Sequence, residues 1–198
     1  MISAYAPVFF IRSWPDFKTT YALLNAIALI FLGFSSSLLG GIICDKYEKK
    51  IPMIKANILI GGNLMAIPLI GLACWTSNFY IAMSAFAAMI FACGSYYAPA
   101  VTMMQNSVPP EDAGIIVSTL HLFTYTATTI SPLIFSRVAK YYNAAAVPRV
   151  YGLTILLATV IGYGLSNIFY YKGGKQYVRI MEEKRLKEQY DECVIAGP

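Results

Sequence analysis

No aspartate, glutamate, lysine or arginine falls between Thr19 and Cys44, between Ala56 and Pro110, between Ala113 and Ser136, or between Val150 and Tyr171. A chain with such charge-free stretches has few ways to fold. Lipid offers no partner for an open backbone N–H or C=O, so a segment in the bilayer core closes its hydrogen bonds within itself, and about 20 apolar residues suffice to cross. The second stretch has room for two crossings, and Trp75, Thr76, Ser77 and Asn78 divide it. The sequence therefore predicts five spanning helices: a over 19–43, b over 53–74, c over 79–103, d over 113–136 and e over 149–171. Pro109, Pro110, Glu111 and Asp112 separate c from d and suit a helix start, where proline costs no hydrogen bond and acids meet the positive end of the dipole. The expected fold class is all-α transmembrane, with about five spanning helices plus an N-terminal helix stub. Composition agrees, since 58% of the 198 residues are hydrophobic and 13% charged, outside the usual range of soluble domains.

Three regions follow. Residues 1–17 are read as the end of an incomplete membrane helix and an outer loop, because Met1 to Ile11 is apolar yet too short to span and lacks the basic leading region of a signal peptide. Residues 18–171 form the five-helix bundle, and 172–198 a tail that is partly helical. Positive residues divide unequally between the two sides. Arg12, Lys18, Arg137, Lys140 and Arg149 fall on one side, against Lys46, Lys49, Lys50, Lys55, Lys172, Lys175, Arg179, Lys184, Arg185 and Lys187 on the other. The positive-inside rule places the second side, and the C-terminus, in the cytoplasm.

Catalytic spacings are missing. The chain holds one histidine and no CxxC, HExxH, GxSxG, Walker or GxGxxG pattern, so no enzyme, cofactor or metal is expected. Cys44, Cys74, Cys93 and Cys193 have no ligand or disulfide spacing and are read as packing residues. A pI near 9.0 would suggest nucleic acid in a soluble protein; here the bases sit at span ends, where they meet lipid headgroups, and no nucleic acid is expected.

After helix a the chain reads Gly40-Gly41-Ile-Ile-Cys-Asp45-Lys46-Tyr-Glu48-Lys49-Lys50. This resembles the G-x-x-x-D-[RK]-x-G-[RK]-[RK] loop between the second and third helices of each half of major facilitator superfamily transporters. Gly41, Asp45, Lys46, Lys49 and Lys50 match, and Glu48 stands where the pattern has glycine. A second likeness, Gln105 to Gly114, is similar to the P-x-x-x-R-G loop before the fifth helix of a half. Pro110 and Gly114 fit, while Ala113 replaces the arginine. The resemblance implies that the stub is the end of the seventh helix and a to e the eighth to twelfth. It further implies a missing N-terminal half, or another membrane subunit, as partner, and a small or lipid-like solute moved by alternating access. Among facilitators the Tyr5-Ala6-Pro7 stub and the glycine-rich helix a look most like spinster-type lipid transporters. Independently of any family, Asp45 can cap a facing helix start, and the lysines, Lys55 included, either pair with it or anchor the chain at headgroups.

The resemblance implies that a, c and d line a central cavity while b and e face lipid. On d, His121, Thr124, Tyr125 and Thr128 recur at i, i+3, i+4 and i+7, a polar stripe that at membrane depth turns toward the bundle or a water-filled path. His121 either carries a proton, its ordinary pKa being about 6.5, or is neutral and bonded to a neighbouring helix. Tyr96 and Tyr97 are cavity aromatics or packing. Asn25 is a cavity polar group or an interhelical bond; Asn63 and Asn167 are read as structural. Gly33, Ser36, Ser37, Gly40 and Gly41 form overlapping small-xxx-small pairs that permit close helix approach. Pro68, Pro99 and Pro132 are expected to kink their helices. The tail is expected to form a short helix on the cytoplasmic surface. The competing functional reading is a non-transporting structural subunit of a larger membrane complex that keeps a transporter-like half fold.

Overall fold

The computed structural model describes residues 2–48, 50–142 and 148–196. Among them every regular element is helical. A short first helix, α1 (Ile2–Ser13), leads through a turn at Pro15–Phe17 into a continuous rod made of α2 (Lys18–Ile27), a π-helical segment (Ala28–Gly33) and α3 (Phe34–Tyr47). Then come α4 (Ile54–Trp75), α5 (Phe79–Gly94), α6 (Tyr97–Asn106), α7 (Ala113–Tyr141) and α8 (Pro148–Ala196). Five stretches are long and apolar enough to cross a membrane: Pro15–Tyr47, Ile54–Trp75, Phe79–Asn106, Pro110–Tyr141 and Val150–Asp191. Each matches one of the spans expected from the charge-free runs, those of b and e beginning one residue later than expected.

The connections follow local chemistry. Asn78 ends the gap between α4 and α5 as an N-cap, its side-chain oxygen accepting from the backbone N–H of Tyr80 at 2.9 Å and of Ile81 at 3.4 Å. The expected single helix c is broken at Ser95–Tyr96 into α5 and α6. Pro99 explains the break, because its ring has no N–H to donate and crowds the carbonyl four residues earlier. Pro7, Pro68 and Pro132, by contrast, lie inside continuous helices.

Aromatic rings cluster at the end of the bundle where α1, the Pro15–Phe17 turn, α2 and α5 meet. Phe10 stacks on Tyr21 with centroids 4.8 Å apart, Phe17 on Phe79 at 4.6 Å, and the Trp14 indole donates to the Ser77 carbonyl at 3.2 Å. Ala6, Phe9 and Phe10 are buried, so the stub is an integral piece of the bundle rather than a loose leader. α4 is the central helix, packed on α5 and α8. There Asn63 donates to both Asn167 Oδ1 and Ser166 Oγ at 3.0 Å, an interhelical polar clasp.

The small-residue stripe resolves into one register. Ser36 and Gly40 are buried against α5 and the turn that follows it: Ser36 donates to the Phe91 carbonyl, and a Cβ on Gly40 would lie 2.6 Å from that of Ser95. Ser37 is half-buried, and a Cβ on Gly33 or Gly41 would meet nothing within 4 Å.

The tail is no separate surface helix: α8 runs unbroken from Pro148 to Ala196. At 1.5 Å per residue that is about 74 Å, more than twice the roughly 30 Å of a hydrocarbon core. The outer faces of all five spans carry large apolar side chains such as Phe34, Leu64, Tyr80, Phe123 and Phe169 in the open. That distribution is stable in lipid and not in water. The chain is a multi-pass α-helical integral membrane protein.

Candidate functional site

Adjoining stretches of α6, α7 and α8 border a cavity of about 630 Å3. Tyr96, Tyr97, Ala100, Met103, Met104 and Ser107 come from α6 and its flanks. Ile116, Leu120, His121 and Thr124 come from α7, Leu59 from α4, and Phe169, Tyr170, Gly173, Gln176, Tyr177 and Ile180 from α8. Four residues singled out in the sequence, Tyr96, Tyr97, His121 and Thr124, thus share one space. The Tyr97 hydroxyl and His121 Nε2 are 3.1 Å apart, and the His121 ring stacks against Tyr125 at 5.9 Å. In either neutral tautomer this Tyr97–His121 pair keeps one donor and one acceptor for a third group.

Other expected members lie elsewhere. Thr128 is exposed on α7 and returns its hydroxyl to the Tyr125 carbonyl at 2.9 Å. Asn25 is half-buried on α2 and does not line the cavity. Helix a contributes nothing to it, and helix e, which the resemblance turns toward lipid, supplies a whole wall. The reason is the length of α8: its continuation past the apolar run brings Gln176, Tyr177 and Ile180 round the C-terminal end of α6.

The loop motif is arranged differently from a row of surface anchors. Asp45, Lys46 and Lys50 are exposed, the Lys46 ammonium lying 5.8 Å from the centre of the Tyr47 ring. The N-cap of α4 is Met53, which makes no side-chain capping hydrogen bond. Lys49 lies outside the described residues. Lys55, however, is 1% exposed. Its ammonium donates to Glu48 Oε1 at 2.6 Å and to the Tyr177 hydroxyl at 3.0 Å. Tyr177 in turn donates to Glu48 Oε1 at 2.6 Å and accepts from Asn106 Nδ2 at 3.3 Å. Lys184 completes the knot by donating to the carbonyls of Asn106 at 2.7 Å and Val108 at 3.3 Å, satisfying the open end of α6. Burial alone would raise the Glu48 carboxyl, but the hydrogen bonds from Lys55 and Tyr177, with the Lys55 charge, carry it below its ordinary value.

Sequence reasoning missed Glu48, Asn106 and Tyr177 as members of one network. In the sequence Glu48 is visible only as the residue that replaces glycine in the loop pattern. Tyr177 also lines a second cleft, of about 650 Å3, with Asp45, Glu48, Glu182, Lys184 and Arg185 at the charged surface. One tyrosine therefore stands between a space that, among the described residues, no Asp, Glu, Lys or Arg lines and a charged one beyond it. Among the described residues no three His, Cys, Asp or Glu side chains gather as metal ligands. Comparison with protein-family models, with curated proteins and with solved structures finds no match.

Proposed function

We propose that this protein is the C-terminal half, or a shortened member, of a major facilitator transporter that moves a small or lipid-like solute. The observation that carries the reading is the 630 Å3 cavity among the spans, polar at Tyr97 and His121 and bounded toward the charged end by the Glu48–Lys55–Tyr177 network. A cavity of this size falls in the range of small-molecule sites, about 300–1,000 Å3. Polar groups at membrane depth mark solute and ion paths. The loop residues Gly41, Asp45, Lys46 and Lys50, on the lysine-rich side of the membrane, support the family, and positive-inside asymmetry puts the C-terminus in the cytoplasm. Alternating access then requires α8 to release Tyr177, which would join the two clefts into one passage.

The experiment is solute entry into proteoliposomes carrying the protein with whatever membrane chain co-purifies. Radiolabelled small solutes and fluorescent single-chain lipids are the tracers. Uptake above empty vesicles that falls about tenfold or more in His121→Ala or Asp45→Asn supports the proposal. Uptake equal to empty vesicles for every tracer, with the folded protein present, refutes transport and leaves the structural-subunit reading.

A further inference from the structure

We infer that the cavity takes an uncharged single-chain amphiphile, which enters sideways from the bilayer between α7 and α8. The inference rests on the reading of this cavity as the solute site. Three observations carry it.

First, no aspartate, glutamate, lysine or arginine among the described residues lines the cavity. An ionic headgroup placed there would lose its hydration with no counter-ion to replace it. The nearby Lys55 and Glu48 are already paired with each other and with Tyr177.

Second, the polar groups on the wall are neutral and suit a hydroxyl: the Tyr96 and Tyr170 hydroxyls and the Gln176 amide can each donate and accept, and Ser107, Thr124 and the Tyr97–His121 pair complete the set. The Ser107 hydroxyl is used on the Met103 carbonyl at 2.7 Å and that of Thr124 on the Leu120 carbonyl at 2.8 Å, so both present oxygen acceptors only. The Tyr97–His121 pair keeps one donor and one acceptor whichever way its proton lies. A group that both donates and accepts, such as an alcohol, satisfies it, while Leu59, Met103, Met104, Ile116, Leu120 and Ile180 supply apolar wall for a chain.

Third, the open side of the cavity is lateral. α7 packs on α6 and makes at most slight contact with α8. Of the lining residues Tyr96 is 50% exposed and Phe169, on α8, 70% exposed, and both belong to membrane spans. A molecule dissolved in the acyl chains reaches these rings without crossing a headgroup layer, whereas an aqueous solute does not.

The test uses the full chain in nanodiscs with a tryptophan reporter at the mouth, Phe169→Trp. The probe is a monoacylglycerol brominated on its chain, and it is compared with the same brominated chain esterified to glycerol phosphate and with a brominated diacyl lipid. Expected is saturable quenching by the monoacylglycerol at a concentration about tenfold or more below that of the phosphate. Adding His121→Ala or Tyr97→Phe to the reporter chain should weaken it about tenfold, and Ala100→Trp should fill the cavity and abolish saturation. Should Ala100→Trp fail to fold, the two polar variants decide alone. Equal or tighter binding of the phosphate, quenching no more saturable than by diacyl lipid, or indifference to both polar variants overturns the inference. Saturable binding without any flux refutes transport but keeps the ligand class. Flux of charged tracers without monoacylglycerol binding does the reverse.

Discussion

The Glu48–Lys55 pair allows a prediction whose size follows from burial. The Lys55 side chain is 2% exposed and that of Glu48 31%, so the two partners are not equivalent. Glu48→Ala leaves an ammonium in the protein interior with only the Tyr177 hydroxyl and ring, the ring centre lying 5.1 Å away. Stranding one member of a buried pair typically costs about 3–5 kcal/mol, and the remaining hydroxyl places this case near ~3 kcal/mol. Lys55→Met keeps the apolar stem that fills the site and removes the charge. The acid it leaves still receives the Tyr177 hydroxyl and reaches solvent, for a loss of about 1 kcal/mol. In the double variant the stranded charge is gone, and the loss should stay near that of Lys55→Met. The assay is thermal unfolding of the four proteins in one mild detergent at neutral pH. At roughly 2–4 °C per kcal/mol for a chain of this length, Glu48→Ala should fall by about 6–12 °C and Lys55→Met by about 2–4 °C. The reasoning is refuted if Lys55→Met is the more damaging single change, or if the double variant loses as much as the two singles added together.

Three further outcomes are expected. The Glu48 carboxyl sits below its ordinary value of 4.5 in the folded chain, so it holds its proton less tightly folded than unfolded, and its contribution is present above the unfolded value and fades as the pH falls through the folded one. The gap in unfolding temperature between the native chain and Glu48→Gln should accordingly hold nearly constant from neutral pH down to about 5.5 and narrow below about 4.5. Gly40→Ala, whose new methyl would stand 2.6 Å from Ser95 Cβ and 3.1 Å from the Ser95 carbonyl oxygen, should lower thermal stability at a cost of about 1–3 kcal/mol, whereas Gly41→Ala, which meets nothing within 4 Å, should be neutral or slightly stabilising in the same melt. Gly174→Ala would bring a Cβ within 2.4 Å of Ala56 Cβ and 3.1 Å of the Met53 terminal methyl, so it should push α8 off α4 and depress the unfolding temperature, while Gly173→Ala beside it, with nothing within 4 Å, should not.

The charge-free runs identify the five spans because exclusion of charge from hydrocarbon acts on every residue in a span at once. The same signal cannot mark where a helix goes on after leaving the membrane. Lys172, Lys175 and Arg179 end the apolar run, yet α8 continues through them, since none of these residues opposes a helix. For that reason the hydropathy pattern gives no hint that helix e walls the cavity. His121 and Tyr97 stand out as polar residues in apolar spans, whereas their meeting depends on the bend at Pro99 and on how α6 and α7 cross. Lys55 shows the limit most directly. In sequence it is one more lysine near a span end, indistinguishable from Lys46 or Lys50. Its burial comes from Tyr177, 122 positions away, packing over it. A single register of the small-residue stripe, Ser36 and Gly40 rather than Ser37 and Gly41, likewise depends on which face α5 covers.

The unbroken length of α8 has a mechanical consequence. Gly174 presses against Ala56 with no room for a side chain, which makes that contact a fulcrum. From there to Ala196 the helix extends about 33 Å, so a tilt of about 5° carries its far end through about 3 Å. Run in reverse, the ratio is leverage: a small force on the distal arm arrives multiplied at Tyr177, one turn from the fulcrum, where a hydroxyl bonded to Lys55, Asn106 and Glu48 is the first thing it would disturb.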